Sequence, residues 1–148
     1  MKAAIAPLLL WAHLAAAAQV AARTDRNRLV LEWQGDETIQ VSVSRARGLL
    51  RSPVDIRVDQ RAISFDGFYA VFNGLTDGYS AKVVEAAVRG NSIRVVHRLE
   101  HPELPAPAQV AFDVLMSPGN KAIRFRVTTQ GEKLHLDRLG LGAHHGDG

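Results

Sequence analysis

The residues best equipped for chemistry are His97-Arg98-Leu99-Glu100-His101, which fit the H-x-x-E-H pattern of a zinc peptidase. That chemistry needs a helix, where two histidines four apart can meet one metal ion with the glutamate beside them as general base. Here the motif continues an alternating run of Ile93, Val95 and Val96, and Pro102 follows at once and pushes His101 out of the helical region. On a strand, four residues span about 13 Å, whereas both ligands must come within about 2 Å of a shared zinc ion. The expectation is a strand with His97 on or beside the core, held by a hydrogen bond, and His101 in a loop.

Other candidates are looser. His144-His145-Gly146-Asp147 lacks a closed four-ligand pattern, and 143–148 reads as a flexible polar tail. Asp66, Asn73 and Asp77 are oxygen donors of the kind a structural calcium takes, but their spacing is not that of an EF-hand, and Asp and Asn are also turn residues. No other cofactor is expected. Nucleophilic catalysis has little to work with: there is no G-x-S-x-G and no cysteine, and Ser80-x-Lys82 is a common accident. Arg94, Arg98, Arg124 and Arg126 fall on outward strand positions and could grip an anionic polysaccharide. Asp113 and Asp137 on neighbouring outward positions make the face mixed, as ordinary solvated surfaces are.

Aromatic rings carry the clearest binding signal. Phe68 and Phe72 share one strand face, which leaves Tyr69 on the other; Tyr79 follows the loop at Asp77-Gly78. Trp33 continues the inward period of Leu29 and Leu31, which reads as core, and would join the two tyrosines only as an exposed ring. Rings near loop ends can stack on sugars, so Tyr69, Tyr79 and Trp33, with Asp77 and Arg98 as hydrogen-bonding partners, are the candidate ligand-binding residues.

The elements that must position these groups are strands. Apolar residues recur every second position, the mark of a half-buried strand: Leu29-Leu31-Trp33, Ile39-Val41-Val43, Val54-Ile56-Val58, Ile63-Phe65, Phe68–Phe72, Ile93–Leu99, Val110–Met116, Ile123–Val127 and Leu134-Leu136. Ala81–Val88 is apolar on both faces and fits a buried strand or a short helix, its valines favouring strand. Turn pairs punctuate the runs, and Asp66-Gly67 between two β-rich stretches predicts a hairpin. About nine short antiparallel strands imply an all-β fold, a β-sandwich or jelly roll, with a closed antiparallel barrel as the alternative. The closing stretch Leu134–Gly142 resembles the last strand of carbohydrate-binding sandwiches, a likeness confined to one strand and without a specific motif.

Composition narrows the class. The chain has 148 residues and no cysteine, so its core must hold without disulfides. Lys and Arg number 18 against 15 Asp and Glu, a net charge of +3 that is too small and too dispersed for a nucleic-acid binder. Met1-Lys2, the apolar run Ala3–Ala18 and the small residues that end it have the layout of a secretory signal peptide. Ala16 and Ala18 suit a cut before Gln19; Val20 and Ala22 suit one before Arg23, which is preferred because it leaves no apolar stub. The run, with Pro7 and His13, is short for a bilayer span, and no later segment is apolar enough for one.

The expected organisation is a signal peptide over 1–22, one sandwich domain over 23–142 and the tail, in a secreted or periplasmic protein. The leading function is non-catalytic binding of an extracellular or cell-envelope glycan. The alternatives are an envelope structural or protein-interaction domain, and a small hydrolase or lyase using His97 or His101.

Overall fold

The computed structural model describes residues 19–75, 79–104, 107–117, 119 and 121–146, and these form an all-β fold. Twelve strands follow one another: β1 (Gln19–Asp25), β2 (Arg28–Gln34), β3 (Thr38–Ser44), β4 (Val54–Val58), β5 (Arg61–Phe65), β6 (Phe68–Phe72), β7 (Ser80–Arg89), β8 (Ser92–Glu100), β9 (Gln109–Ser117), β10 (Ala122–Gln130), β11 (Leu136–Leu141) and β12 (His144–Gly146). There is no helix among the described residues.

Pairing is antiparallel throughout the sheets. One sheet has six strands in the order β1-β2-β3-β4-β5-β12, a second has four in the order β10-β9-β8-β7, and β11 pairs with β6. Sequence neighbours pair along β1 to β5 and along β7 to β10, so both runs are meanders, with the distant β12 added at the edge of β5, and neither sheet closes into a barrel. Period two sets what faces inward. Leu29, Leu31 and Trp33 lie opposite Val43, Val41 and Ile39 and are buried with them. Ile93, Val95, Val110, Phe112 and Val114 supply the facing layer from the four-stranded sheet. Burying each such side chain contributes about 1.5–3 kcal/mol, which is how the fold stands without a disulfide. Phe68 anchors one end of this core, its ring 5.2 Å from Phe112, 5.1 Å from Phe125 and 5.5 Å from Phe65.

Ala81–Val88 lies in strand β7, the element its valines favoured, with Val83 and Val88 packed on the core and Val84, 52 % exposed, as an extra residue between partners Val83 and Glu85. Three local features differ from the expectation. Asp66-Gly67 is a corner between sheets and not a hairpin, because β5 pairs with β4 and β12 while β6 pairs with β11. Gly67 has φ +79°, and a Cβ there would overlap the carbonyl oxygens of Ser52 and Leu49. The corner is clamped by Phe68 N–H donating to Leu49 O (2.7 Å) and Gly142 N–H donating to Gly67 O (2.7 Å).

The segment 143–148, expected to be a flexible polar tail, supplies strand β12, since His144, His145 and Gly146 pair with Phe65, Ser64 and Ile63. Finally, Gln19–Ala22, which a cut before Arg23 would assign to the leader, forms the first part of β1. Twelve strands replace about nine chiefly because β1 and β12 fall in stretches read as leader and tail.

Candidate functional site

The residues singled out for ligand binding are not brought together. Trp33 is 4 % exposed and sits in the core, with Lys121 Nζ 5.6 Å from its ring centre. Tyr79 is buried; its hydroxyl donates to Ala70 O at 2.6 Å and its ring meets Phe72 edge-on at 5.6 Å. Burial pushes the Tyr79 phenol above its usual pKa, against the opposing pull of the Arg51 charge. Tyr69 is half-buried, and the Arg51 guanidinium lies 5.5 Å from its ring and 5.1 Å from that of Tyr79. The stacking role set out for Trp33 and Tyr79 thus finds both rings without an open face. Arg98 is exposed on β8, with Nε 3.8 Å from Glu100 Oε1. Asp77 lies outside the described residues.

The histidine motif is divided between core and surface. His97 is fully buried and its ring meets Phe112 edge-on at 5.7 Å. Its Nε2 accepts the backbone N–H of Leu49 at 3.3 Å, while Nδ1 has no partner. Desolvation lowers its pKa from 6.5 to about 4, so the ring is neutral at ordinary pH. His101 is partly exposed and caps its own turn, Nδ1 accepting the Glu103 N–H at 3.0 Å. Glu100 faces Lys82 at 3.5 Å. A buried neutral imidazole cannot reach a substrate in solvent.

Two of the oxygen donors, Asn73 and Asp66, have partners within the structure. Asn73 holds a turn, its Oδ1 accepting the His135 N–H (2.6 Å) and its Nδ2 donating to Lys133 O (2.8 Å). Asp66 lies 3.5 Å from His145 Nε2. No group of three potential metal ligands occurs among the described residues. Of the arginine set, Arg94 is held by both carboxylate oxygens of Asp113 at 3.1 and 2.9 Å, and Arg126 stands opposite the same Asp113.

What the fold does assemble is a polar groove on the outer face of the six-stranded sheet. Cross-strand register aligns Arg23, Val30, Ser42, Asp55, Ser64 and His145, one residue from every strand of that sheet. A second row runs beside it through Glu32, Gln40, Arg57 and Ala62. Small side chains at Ser42, Ser64 and Ala62 leave a trough between the longer Arg28, Arg57 and His145. The trough has a volume of about 470 Å³.

Arg28 forms its fixed wall. Nε donates to Ser42 Oγ at 2.8 Å, and one terminal nitrogen donates to Ser42 O at 2.9 Å and to Asp55 Oδ2 at 2.7 Å. Arg57 is exposed and makes no ion pair among the described residues. The groove therefore offers donors from Arg57 and Gln40, and donor–acceptor hydroxyls from the serines. Sequence reasoning missed these residues. The outward alternation of Ser42, Asp55 and Ser64 was legible, but nothing local says that they share one row with each other or with His145.

No family model, curated protein or solved structure matches the chain.

Proposed function

We propose that this protein is a non-catalytic β-sandwich domain that binds a glycan of the cell exterior or envelope along the outer groove of its six-stranded sheet. One observation carries the reading: a cross-strand row that is polar on every strand of that sheet except at Val30 of β2, where Arg28 supplies the polar group, runs beside a trough floored by small residues. A polyhydroxylated chain needs closely spaced donors and acceptors more than it needs apolar area. Arg28 is already ordered by its three hydrogen bonds, so binding loses little further side-chain entropy there. A groove on the four-stranded sheet is also polar, with the charges of Arg94 and Asp113 and of Arg89 and Glu85 paired across it, but its lining comes from fewer strands than the row on the six-stranded sheet.

The test is a thermal-shift screen against soluble polysaccharides, since a ligand of the native state raises the melting temperature by mass action. A shift with one glycan class, lost in Arg57→Ala, is expected. A folded protein that shifts with none of them refutes the reading.

One observation favours a second reading, an envelope protein-interaction domain. By register, Leu139 and Leu141 of β11 lie on the side of Ala70 and Phe68, yet they are 38 % and 66 % exposed. Uncovered apolar side chains beside a free strand edge are what a partner strand would bury. That reading predicts a binding partner lost in Leu141→Asp and indifferent to sugars.

A further inference from the structure

We propose that a signal-peptidase-type protease hydrolyses the Ala18–Gln19 bond, so that the exported chain begins at Gln19, the first residue of β1; the inference rests on the export reading of the N-terminal segment. Two places satisfy the need for small residues at the third and first positions before a cut: Ala16 and Ala18 before Gln19, and Val20 and Ala22 before Arg23. The fold separates them. β1 pairs with β2 over its whole length, from Gln19 opposite Gln34 to Asp25 opposite Arg28. Val20 and Ala22 stand opposite Trp33 and Leu31 and pack on the core. The same strand approaches β7 of the other sheet.

A cut before Arg23 would delete Gln19, Val20, Ala21 and Ala22 and leave only Arg23, Thr24 and Asp25 of the strand. The half of β2 that carries Trp33 and Leu31 would keep β3 on one edge but lose its ladder partner on the other, together with the apolar cover of Val20 and Ala22. A cut before Gln19 leaves the whole of β1 in place. In the reaction, water supplies hydroxyl to the Ala18 carbonyl carbon and a proton to the Gln19 nitrogen as the peptide bond breaks. The new α-amine of Gln19 can then attack its own side-chain amide carbon, expelling ammonia and closing a lactam. That step removes the terminal positive charge at the sheet edge.

The experiment is expression of the full chain in an exporting bacterial host, with intact mass and N-terminal sequencing of the extracytoplasmic fraction. A product starting at Gln19, as free amine or lactam, is expected. An exported product starting at Arg23 overturns the proposal and leaves export standing, whereas a full-length chain found only inside the cell overturns both. A bulky residue directly before the bond blocks such a protease, so Ala18→Leu should lose the Gln19 product and Ala22→Leu should retain it. The reverse pattern overturns the proposal, and mass reads the cut however well each variant folds.

Discussion

The imidazole of His97 and the backbone of Leu49 form a lopsided pair: Nε2 accepts the Leu49 N–H at 3.3 Å, and Nδ1, on the other side of the ring, meets no partner. Because Nε2 is the acceptor, the neutral ring carries its proton on Nδ1, as a buried donor with nothing to bond. One hydrogen bond anchors the loop between β3 and β4 to β8, and the other half of the ring is a standing liability of about 1–3 kcal/mol.

Acid should exploit that liability. The His97 pKa falls from 6.5 to about 4 on folding, so the unfolded chain takes up the proton first. Its contribution to stability is therefore complete above pH 6.5, shrinks as pH falls through that window, and is fully lost below about 4. The loss amounts to about 3 kcal/mol. Urea unfolding of wild type and His97→Gln across the window should show a shallower acid loss in the variant; parallel curves would contradict the burial of the ring.

Gly48 makes room for this imidazole. Its φ is +70°, and a Cβ there would overlap His97 Cε1. Gly48→Ala combines backbone strain with a clash against an immobile ring, and should cost about 2–4 kcal/mol. Chemical denaturation measures it. A cost under about 0.5 kcal/mol would mean that the loop carrying Gly48 and Leu49 can move away from β8.

Tyr79→Phe removes the buried bond to Ala70 O while keeping the ring packed against Phe72. A loss of about 1–2 kcal/mol is expected, with the orphaned carbonyl accounting for most of it. Glycan-induced thermal shifts should be unaffected, because this ring offers no open face. A variant that keeps wild-type stability but no longer responds to glycan would return Tyr79 to the binding site.

Arg57→Ala should do the opposite. The side chain is exposed and makes no ion pair among the described residues, so stability should change by less than about 0.5 kcal/mol while glycan binding weakens at least about tenfold, equivalent to about 1.4 kcal/mol. Isothermal titration on the two proteins decides it. Arg28→Ala should lose both binding and stability, since its guanidinium ties β2 to β3 and β4.

Much of the scaffold was legible along the chain, because the alternation of apolar and polar residues is a local property of strands. Leu29-Leu31-Trp33 and Ile39-Val41-Val43 announce their inward faces without reference to anything distant, and the structure buries all six. The proline after His101 and the run of Ile93, Val95 and Val96 were enough to place His97 on a strand. Absence of cysteine required a core that stands on packing alone.

What only the tertiary structure decided is which strands become neighbours. Asp66-Gly67 has the residues of a hairpin, yet the carbonyls of Leu49 and Ser52 and the segment Gly142-Ala143 turn it into a corner, and those groups are far away in sequence. The same holds for Tyr79, whose burial depends on a free carbonyl at Ala70, and for Gln19–Ala22, whose value as a strand depends on the edge of β2. The groove is the clearest case. Each strand by itself shows that Ser42, Asp55 or Ser64 points outward, and His145 carries no strand signal at all, but their shared row is created by register, which is set between strands by hydrogen bonds and by the packing of the opposite face.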